Sequence, residues 1–184
     1  MKQHIRWSIM FALATCFIQC KSENNQQFLI TADSVGKISR SSAFSDLETL
    51  FASDSLVKDT TRITLGANTS KVSVYEKGGR HLLTLTPSTD SIPKVENIRI
   101  FDPRYKTEKG VGLHSTFKDI KTHYNIKKIV TALNNVVVFV KGSDVYFTID
   151  KQELPASLRY ASSVTIEEVQ IPDAAKIKYL MVGW

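Results

Sequence analysis

Thiols are scarce in this chain. Its 184 residues include two cysteines, Cys16 and Cys20, and both lie among the first 20 residues. If residues 1–19 are removed and Cys20 is chemically modified, the remaining 165 residues have no free thiol. Disulfides, zinc–thiolate sites, iron–sulfur clusters and cysteine nucleophiles are then excluded from the mature body.

Near its amino terminus the chain also lacks an apolar run long enough to cross a membrane. Residues 7–18 are apolar apart from Ser8 and Thr15, and residues 19–27 are strongly polar. A transmembrane helix needs roughly 20 apolar residues, so this run of 12 is too short. Lys2 and Arg6 precede it, and this order predicts a cleaved export signal.

The end of the apolar run predicts lipidation. Cys20 follows Phe17-Ile18-Gln19 and precedes the polar Lys21-Ser22-Glu23. We therefore expect residues 1–19 to be a lipoprotein signal peptide, Cys20 to be the lipidated residue and residues 20–27 to be a flexible tether. Cys16, which follows Leu13-Ala14-Thr15, is the alternative site. An ordinary signal peptide or an uncleaved signal anchor is a further alternative, and it also places the body outside the cytoplasm.

This leader predicts a location. Several acyl chains together hold a protein stably at a bilayer, whereas a single chain binds marginally. We expect a lipid-anchored protein of the bacterial cell envelope, at the outer membrane, on its periplasmic face or at the cell surface. The membrane is then a partner through the anchor, and nucleic acid is not an expected partner.

Catalytic and metal-binding motifs are missing from the body. None of its three histidines, His81, His114 and His123, stands in a His-Glu-x-x-His spacing, and no Gly-x-Ser-x-Gly turn occurs. No Asp-x-Asp-x-Asp-Gly calcium loop occurs either. We predict no catalytic residue, metal or cofactor. An envelope hydrolase or small-ligand carrier stays as the alternative, and it would need a deep pocket lined by His114, Asp102 or Asp119.

Positive charge is concentrated in one stretch. The whole chain carries a net charge of +6, and residues 94–128 contain nine basic and four acidic residues. Such a stretch can lie against anionic headgroups, at about 1 kcal/mol for each lysine or arginine near the surface, or it can be an ordinary solvated face. The candidate binding residues are His114, Arg104, Lys106, Lys109, Lys118 and Lys121.

The body contains an internal repeat. Residues 37–47 align without gaps to residues 110–120, and residues 72–85 align to residues 136–149. Short amphipathic elements can match by chance, but two matches in the same order favour a duplication with a shorter connection in the second copy.

The repeat predicts an α+β fold made of two tandem β-α-β-β-β repeats, each an antiparallel sheet covered by one helix. Repeat one is residues 28–93, and repeat two is residues 94–184 with an insertion at 151–175. Ser42 and Ser115 are the expected N-caps, and Asn134-Asn135 is expected to form a hairpin turn that tolerates positive φ. The apolar stripes of the helices are Phe44, Leu47 and Phe51, and Phe117, Ile120 and Tyr124. The predicted strands are 28–32, 62–65, 71–76 and 81–86, then 97–102, 128–133, 136–140 and 145–149, and a last strand at 176–182.

One part of the chain carries a resemblance. Ile98-Arg99-Ile100-Phe101-Asp102, then Gly110-Val111-Gly112, then Ser115-x-Phe117-x-Asp119-Ile120 resembles the motif of small stress-regulated envelope lipoproteins of unknown function from Gram-negative bacteria. The resemblance covers roughly residues 95–125 and the apolar strand that closes the chain. It implies location and fold more than chemistry. The leader, the repeat and the absence of catalytic spacing make a protein that binds another protein or an envelope component the leading interpretation.

Overall fold

The computed structural model describes residues 26–59, 70–160 and 164–184. The predicted signal peptide, Cys16, Cys20 and most of the predicted tether lie outside the described residues. The predicted strand at residues 62–65 also lies outside them.

The described residues form two sheets. The strands are β1 (Leu29–Ile30), β2 (Ser34–Val35), β3 (Ile38–Ser39), β4 (Ser55–Lys58), β5 (Val72–Tyr75), β6 (His81–Pro87), β7 (Val95–Ile100), β8 (Lys106–Thr107), β9 (Ile126–Thr131), β10 (Asn135–Val140), β11 (Val145–Asp150) and β12 (Ile177–Gly183). The small sheet has the order β3-β2-β1-β8, and the large sheet has the order β4-β5-β6-β7-β12-β11-β10-β9. Every pairing in the large sheet is antiparallel, whereas β1 and β8 of the small sheet are parallel.

Helices are few and short among the described residues. They are α1 (Leu47–Leu50), α2 (Phe117–His123) and α3 (Ala156–Arg159), with 3₁₀ turns at Phe44–Asp46, Lys151–Glu153 and Glu168–Gln170. The coarse expectation of a mixed α+β fold is confirmed. The predicted closing strand is also confirmed, since β12 covers Ile177–Gly183.

Both helical stripes face the interior as predicted. Leu47 and Phe51 are buried in the first helical segment, and Phe117, Ile120 and Tyr124 are buried in and just after α2. Because the stripe residues recur at three and four positions, one side of each helix covers apolar surface.

The predicted N-caps are one residue too early. The N-cap of α2 is Thr116, whose backbone N–H donates to the Asp119 carboxylate at 2.7 Å. In the first segment the backbone N–H of Ala43 donates in the same way to Asp46. A capping box puts the acid three residues after the cap, so the two aspartates set the start of each helix. Ser115 instead accepts a hydrogen bond from the Gly112 N–H.

The strands of the two predicted repeats lie in one continuous sheet. β7, which was expected to open the second repeat, pairs with β6 on one side and with β12 on the other. β1, which was expected to open the first repeat, lies in the small sheet. The expectation of a separate sheet for each repeat is therefore not confirmed. The local sequence pattern of each segment predicted these strands. Such a pattern does not determine which strands lie side by side in a sheet.

The turn between β9 and β10 also differs from the prediction. Its two central residues are Leu133 and Asn134, because the Ala132 N–H donates to the Asn135 carbonyl at 2.8 Å. All residues with positive φ in the described ranges are glycines, such as Gly78, Gly79 and Gly142 of the other hairpin loops. The expected positive φ at Asn134 and Asn135 is therefore wrong.

One edge of the large sheet is β9. Its Lys127 and Lys128 are exposed. The Thr131 hydroxyl donates to the Val164 carbonyl at 3.1 Å and accepts from the Ile166 N–H at 3.3 Å. The segment around residues 164–166 is thus held against the end of this edge strand.

The hydrophobic core lies on one face of the large sheet. Leu83, Ile100, Leu180, Phe147 and Val138 are neighbours in register across five adjacent strands, and all are buried. The buried residues of the small sheet and of the helices belong to the same cluster. The elements outside the large sheet therefore cover one of its two faces.

Two phenylalanines on opposite faces test this assignment. Phe147→Ala removes a fully buried ring that lies 6.0 Å from the ring of Tyr124, and it should lower the free energy of unfolding by about 3–5 kcal/mol. Phe139→Ala removes a ring of the same size from the other face, where Phe139 is half-buried. It should lower the free energy of unfolding by less than half as much. Urea denaturation of both variants measures the difference, and equal losses would contradict the assignment of a single covered face.

Candidate functional site

The second face of the large sheet carries a continuous row of side chains. In register across all eight strands, one residue from each strand points to this face: Val57, Ser73, Thr84, Arg99, Met181, Tyr146, Phe139 and Lys128. A second row lies beside it and contains Tyr75, His81, Phe101, Tyr179, Thr148, Val137 and Val130. We call these two rows the open face. Apart from Thr148, their side chains are half-buried or exposed, and none belongs to the core cluster.

Aromatic rings on the open face stack on one another. The His81 ring lies between Tyr75 and Phe101, with centroid distances of 4.6 and 3.8 Å and nearly parallel planes. Phe139 and Tyr146 stack at 5.3 Å. Side chains stand roughly perpendicular to a sheet whose strands are about 4.8 Å apart. Rings on neighbouring strands therefore turn their faces toward each other and their edges toward solvent.

Arg99 lies in the middle of the open face, on the central strand β7. Its guanidinium carbon is 3.8 Å from the Tyr179 ring centroid and 4.7 Å from that of Phe101. Its Nε is buried and has no hydrogen-bond acceptor, and no carboxylate within the described ranges forms an ion pair with it. Two aromatic rings therefore hold this cation through cation–π contacts.

His81 is a neutral part of this stack. Its Nε2 lies 3.1 Å from the Leu83 carbonyl and 3.0 Å from the Thr84 hydroxyl. Burial lowers the pKa of His81, and the charge of Arg99 lowers it further, although the Leu83 carbonyl acts in the opposite direction. Because the pKa is below its usual value of 6.5, the ring is uncharged at neutral pH.

Positive charge and hydrogen-bond donors predominate on the open face. Lys128 Nζ lies 4.7 Å above the Phe139 ring. The acids at the margin of this face are Asp150, two residues beyond Thr148, and Asp144, two residues before Tyr146. Lys178 binds Asp150 at 2.7 Å, and Arg40 binds Asp144 at 2.7 Å. An incoming ligand would therefore meet unpaired cations more readily than free carboxylates.

Arg104, one of the predicted binding residues, is part of an ion cluster. Its guanidinium donates to Asp102 at 3.0 and 2.8 Å and to Glu76 at 3.0 Å, and it lies 4.1 Å from the Phe28 ring centroid. Burial raises the pKa of Asp102, but the hydrogen bonds and charge of Arg104, with the charge of Arg80, outweigh burial and hold the pKa below its usual value. The cluster joins the β5–β6 hairpin to the segment that follows β7.

The other predicted binding residues surround α2 and the loop before it. Lys109 donates to the His123 carbonyl at 2.8 Å, and Lys121 lies 2.6 Å from the Asp173 carboxylate. Lys106 is half-buried in β8, whereas Lys118 and His114 are exposed. These positions are on the covered side of the molecule, so the structure does not bring them together with Arg99.

The three residues of the enzyme alternative have different environments. His114 is exposed in a turn, Asp119 caps α2, and Asp102 is bound by Arg104. A cleft of about 660 Å³ lies elsewhere and is lined by residues that include Arg40, Lys94, Glu96 and Trp184. None of the three lines this cleft. The described residues also contain no group of three or more histidine, cysteine, aspartate or glutamate side chains that could hold a metal ion.

Sequence reasoning missed the role of Arg99. It noted Arg99 as part of a motif but assigned it no function. The available signal was the alternation in β7, where Ile98 and Ile100 face the core while Asn97 and Arg99 face the other way. Alternation shows which face a residue occupies. One of the two rings beside Arg99 is Phe101, directly after β7, but the other is Tyr179, 80 residues further along the chain than Arg99.

No protein-family model and no curated protein matches this chain. Among solved structures, it is similar to the crystal structure of the uncharacterized protein yfeY from Escherichia coli, with a TM-score of 0.58 and 12% sequence identity. The similarity covers 84% of this chain and 99% of that chain. At this identity the similarity shows a shared fold alone. Within the described ranges, no helix is both long enough and apolar enough to span a membrane.

The Asp102 cluster generates a pH prediction. Because the pKa of Asp102 is lower in the folded state, its ion pair stabilises the fold at neutral pH and is lost as the pH falls through the folded-state pKa. Asp102→Asn should lower the free energy of unfolding by about 3 kcal/mol at neutral pH, because it leaves Arg104 without its buried partner. The gap between wild type and variant should narrow below about pH 4.

Urea denaturation at a series of pH values measures this gap. Asp144→Asn is the control, because Asp144 pairs with Arg40 on the surface and exposed pairs contribute about 0–1 kcal/mol. If the difference in unfolding free energy between wild type and Asp102→Asn stays constant into strong acid, Asp102 is not the ionised partner of Arg104 assigned here.

Proposed function

We propose that this protein is a lipid-anchored component of the bacterial cell envelope that binds a protein or another envelope component through its open face. The observation that carries the proposal is the uncovered open face, on which seven of the eight strands carry an aromatic or a cationic side chain. A half-buried aromatic surface centred on an arginine is typical of recognition sites, where aromatic residues and arginine are enriched.

The leader supports the location in this proposal. Lys2 and Arg6, the short apolar run and Cys20 occur in the order of a lipoprotein signal. The tether after Cys20 would leave the folded body beside a bilayer, at the outer membrane, facing the periplasm or the cell surface.

A binding role also fits the shape of the site better than catalysis does. Small-molecule sites and active sites are concave and bring a few polar groups together. The open face is broad. Of the residues considered for catalysis, Asp102 and Asp119 have structural contacts elsewhere and His114 is exposed in a turn. An envelope hydrolase or a small-ligand carrier is the alternative, and no observation on the described residues favours it.

We also propose that the chain arose by duplication of a unit that differs from the expected β-α-β-β-β repeat. In chain order, α1 is followed by β4, β5, β6 and β7, and α2 is followed by β9, β10, β11 and β12. The large sheet has the order β4-β5-β6-β7 and then β12-β11-β10-β9, so its second half is the reverse of the first. Two helix-plus-four-strand units joined at β7 and β12 would explain this order and would make the open face continuous.

The six predicted binding residues of the basic stretch stay a prediction for contact with anionic headgroups. Lys118 and His114 are exposed and available for such contact. Arg104 and Lys121 already bind carboxylates, so we expect them to contribute less to the attraction of an outside anion.

The anchor is tested by metabolic labelling with palmitate. Wild type should incorporate the label, Cys20→Ala should lose it, and Cys16→Ala should keep it. Label that survives Cys20→Ala, or no label in wild type, would remove the assignment of Cys20.

Occupancy of the open face is tested with a single introduced cysteine. Val130→Cys replaces an exposed residue of the open face, and Lys176→Cys replaces an exposed residue beside the start of α2 on the other side of the molecule. Since the body has no cysteine of its own, a maleimide reports on the introduced thiol alone. Val130→Cys should react several-fold more slowly in intact envelopes than in the purified full chain, whereas Lys176→Cys should react at similar rates in both. Equal rates for Val130→Cys in the two settings would argue against a partner on the open face.

A further inference from the structure

The open face contains a cation whose hydrogen bonds are unused. A guanidinium has five N–H donors in a planar fork that matches an oxyanion with two acceptor oxygens. In Arg99 none of these donors has a partner within the described part of the chain, and the Nε–H is buried. An unpaired buried donor costs free energy. The terminal nitrogens of Arg99 are not among the buried unpartnered atoms, so they are the donors that an incoming oxyanion can reach. Phe101 and Tyr179 meanwhile hold the group in place.

The surroundings of Arg99 favour an acceptor-rich ligand. Stacked rings turn their edges outward, and the edge of an aromatic ring carries the positive part of its quadrupole. The Asn97 side-chain amide donates to the Tyr146 hydroxyl at 2.6 Å, so that hydroxyl keeps its own proton for an outside acceptor. Thr84 and Met181 are the cross-strand neighbours of Arg99, and neither carries a charge.

The shape of the open face favours a chain molecule. Eight strands spaced about 4.8 Å apart give a row roughly 34 Å wide. The strongly exposed apolar residues of the open face lie at its edges, Val57 on β4 and Val130 on β9, so the centre has no protruding group that could enter a bilayer. Extended peptides add to the edge of a sheet more readily than to its face.

We propose that the open face binds an acidic polysaccharide, with the guanidinium of Arg99 holding one carboxylate of the chain in a bidentate contact. The Tyr146 hydroxyl and Lys128 contact neighbouring sugar units along the same row. This inference rests on the proposed function and adds the chemical class of the ligand and the residue that anchors it.

The test uses the full chain purified in a neutral detergent and a fluorescent oligogalacturonate as the probe. Its methyl ester, which has the same sugar chain without charge, is the matched ligand control. Arg99→Gln should weaken binding by about tenfold or more, since it removes a hydrogen bond between two charged groups. Arg99→Lys should bind with an affinity between those of wild type and Arg99→Gln, because lysine keeps the positive charge but lacks the planar set of N–H donors. Lys176→Gln removes one positive charge beside the start of α2, on the other side of the molecule, and should change binding by less than about twofold.

A second measurement does not depend on the stability of any variant. In the wild-type protein, the NMR signal of the Arg99 Nε–H should shift when oligogalacturonate is added and should stay in place when the methyl ester is added. No binding, equal binding of the ester, or an Arg99→Gln variant that binds like wild type would overturn the proposal.

Two further probes separate the polysaccharide from other anionic partners. Tighter Arg99-dependent binding of poly-glutamate, or of vesicles that contain phosphatidylglycerol, would overturn the assignment of a polysaccharide. Suppose that Val130→Cys reacts slowly with maleimide in envelopes but the purified protein does not bind the oligosaccharide. The binding role of the open face then stands, and the acidic polysaccharide is rejected as its ligand. If Val130→Cys is unprotected and the oligosaccharide binds through Arg99, the ligand class stands and occupancy of the face in the envelope is rejected.

Discussion

The pairing of β7 with β12 is the interaction on which the rest of the structure depends. It joins Ile100 to Leu180 and Ile98 to Val182, and the Trp184 N–H extends it by donating to the Glu96 carbonyl at 2.8 Å. Without it, two four-stranded sheets would each present an unpaired edge, and exposed edges invite wrong pairing. With it, both halves share one core and one open face. The last eight residues of the chain are therefore required before either half is complete.

This pairing also sets the position of Arg99. The register Met181↔Arg99 puts an uncharged side chain directly opposite the guanidinium, and Tyr179, two residues from Met181 on the same strand, supplies one of the two rings that flank it. A slip of one residue would move Arg99 toward the core and an isoleucine toward solvent, because side chains alternate between faces. The apolar residues that stabilise the fold thus also fix the positions of the side chains on the open face.

Much of the local structure was predictable from the sequence. The stripes of Phe117, Ile120 and Tyr124 and of Leu47 and Phe51 specify buried helix faces at short range. The predicted N-caps were wrong by one residue. A capping box has its acid three residues after the N-cap, and Ser42 and Ser115 lie four residues before Asp46 and Asp119. The partners of β1 and β7 could not be predicted, since pairing depends on contacts between residues far apart in the chain. The environment of Arg99 depends on the same distant contacts, so the candidate site was missed although β7 itself was predicted.

The edge strand β9 has a consequence for encounters between copies of this chain. An open edge strand would let copies pair edge to edge and join into ribbons. Lys127 and Lys128 place like charges along this border, and the bonds between Thr131 and the segment at residues 164–166 occupy its end. The same lysines that would repel a sister molecule leave the border accessible to ligands of opposite charge.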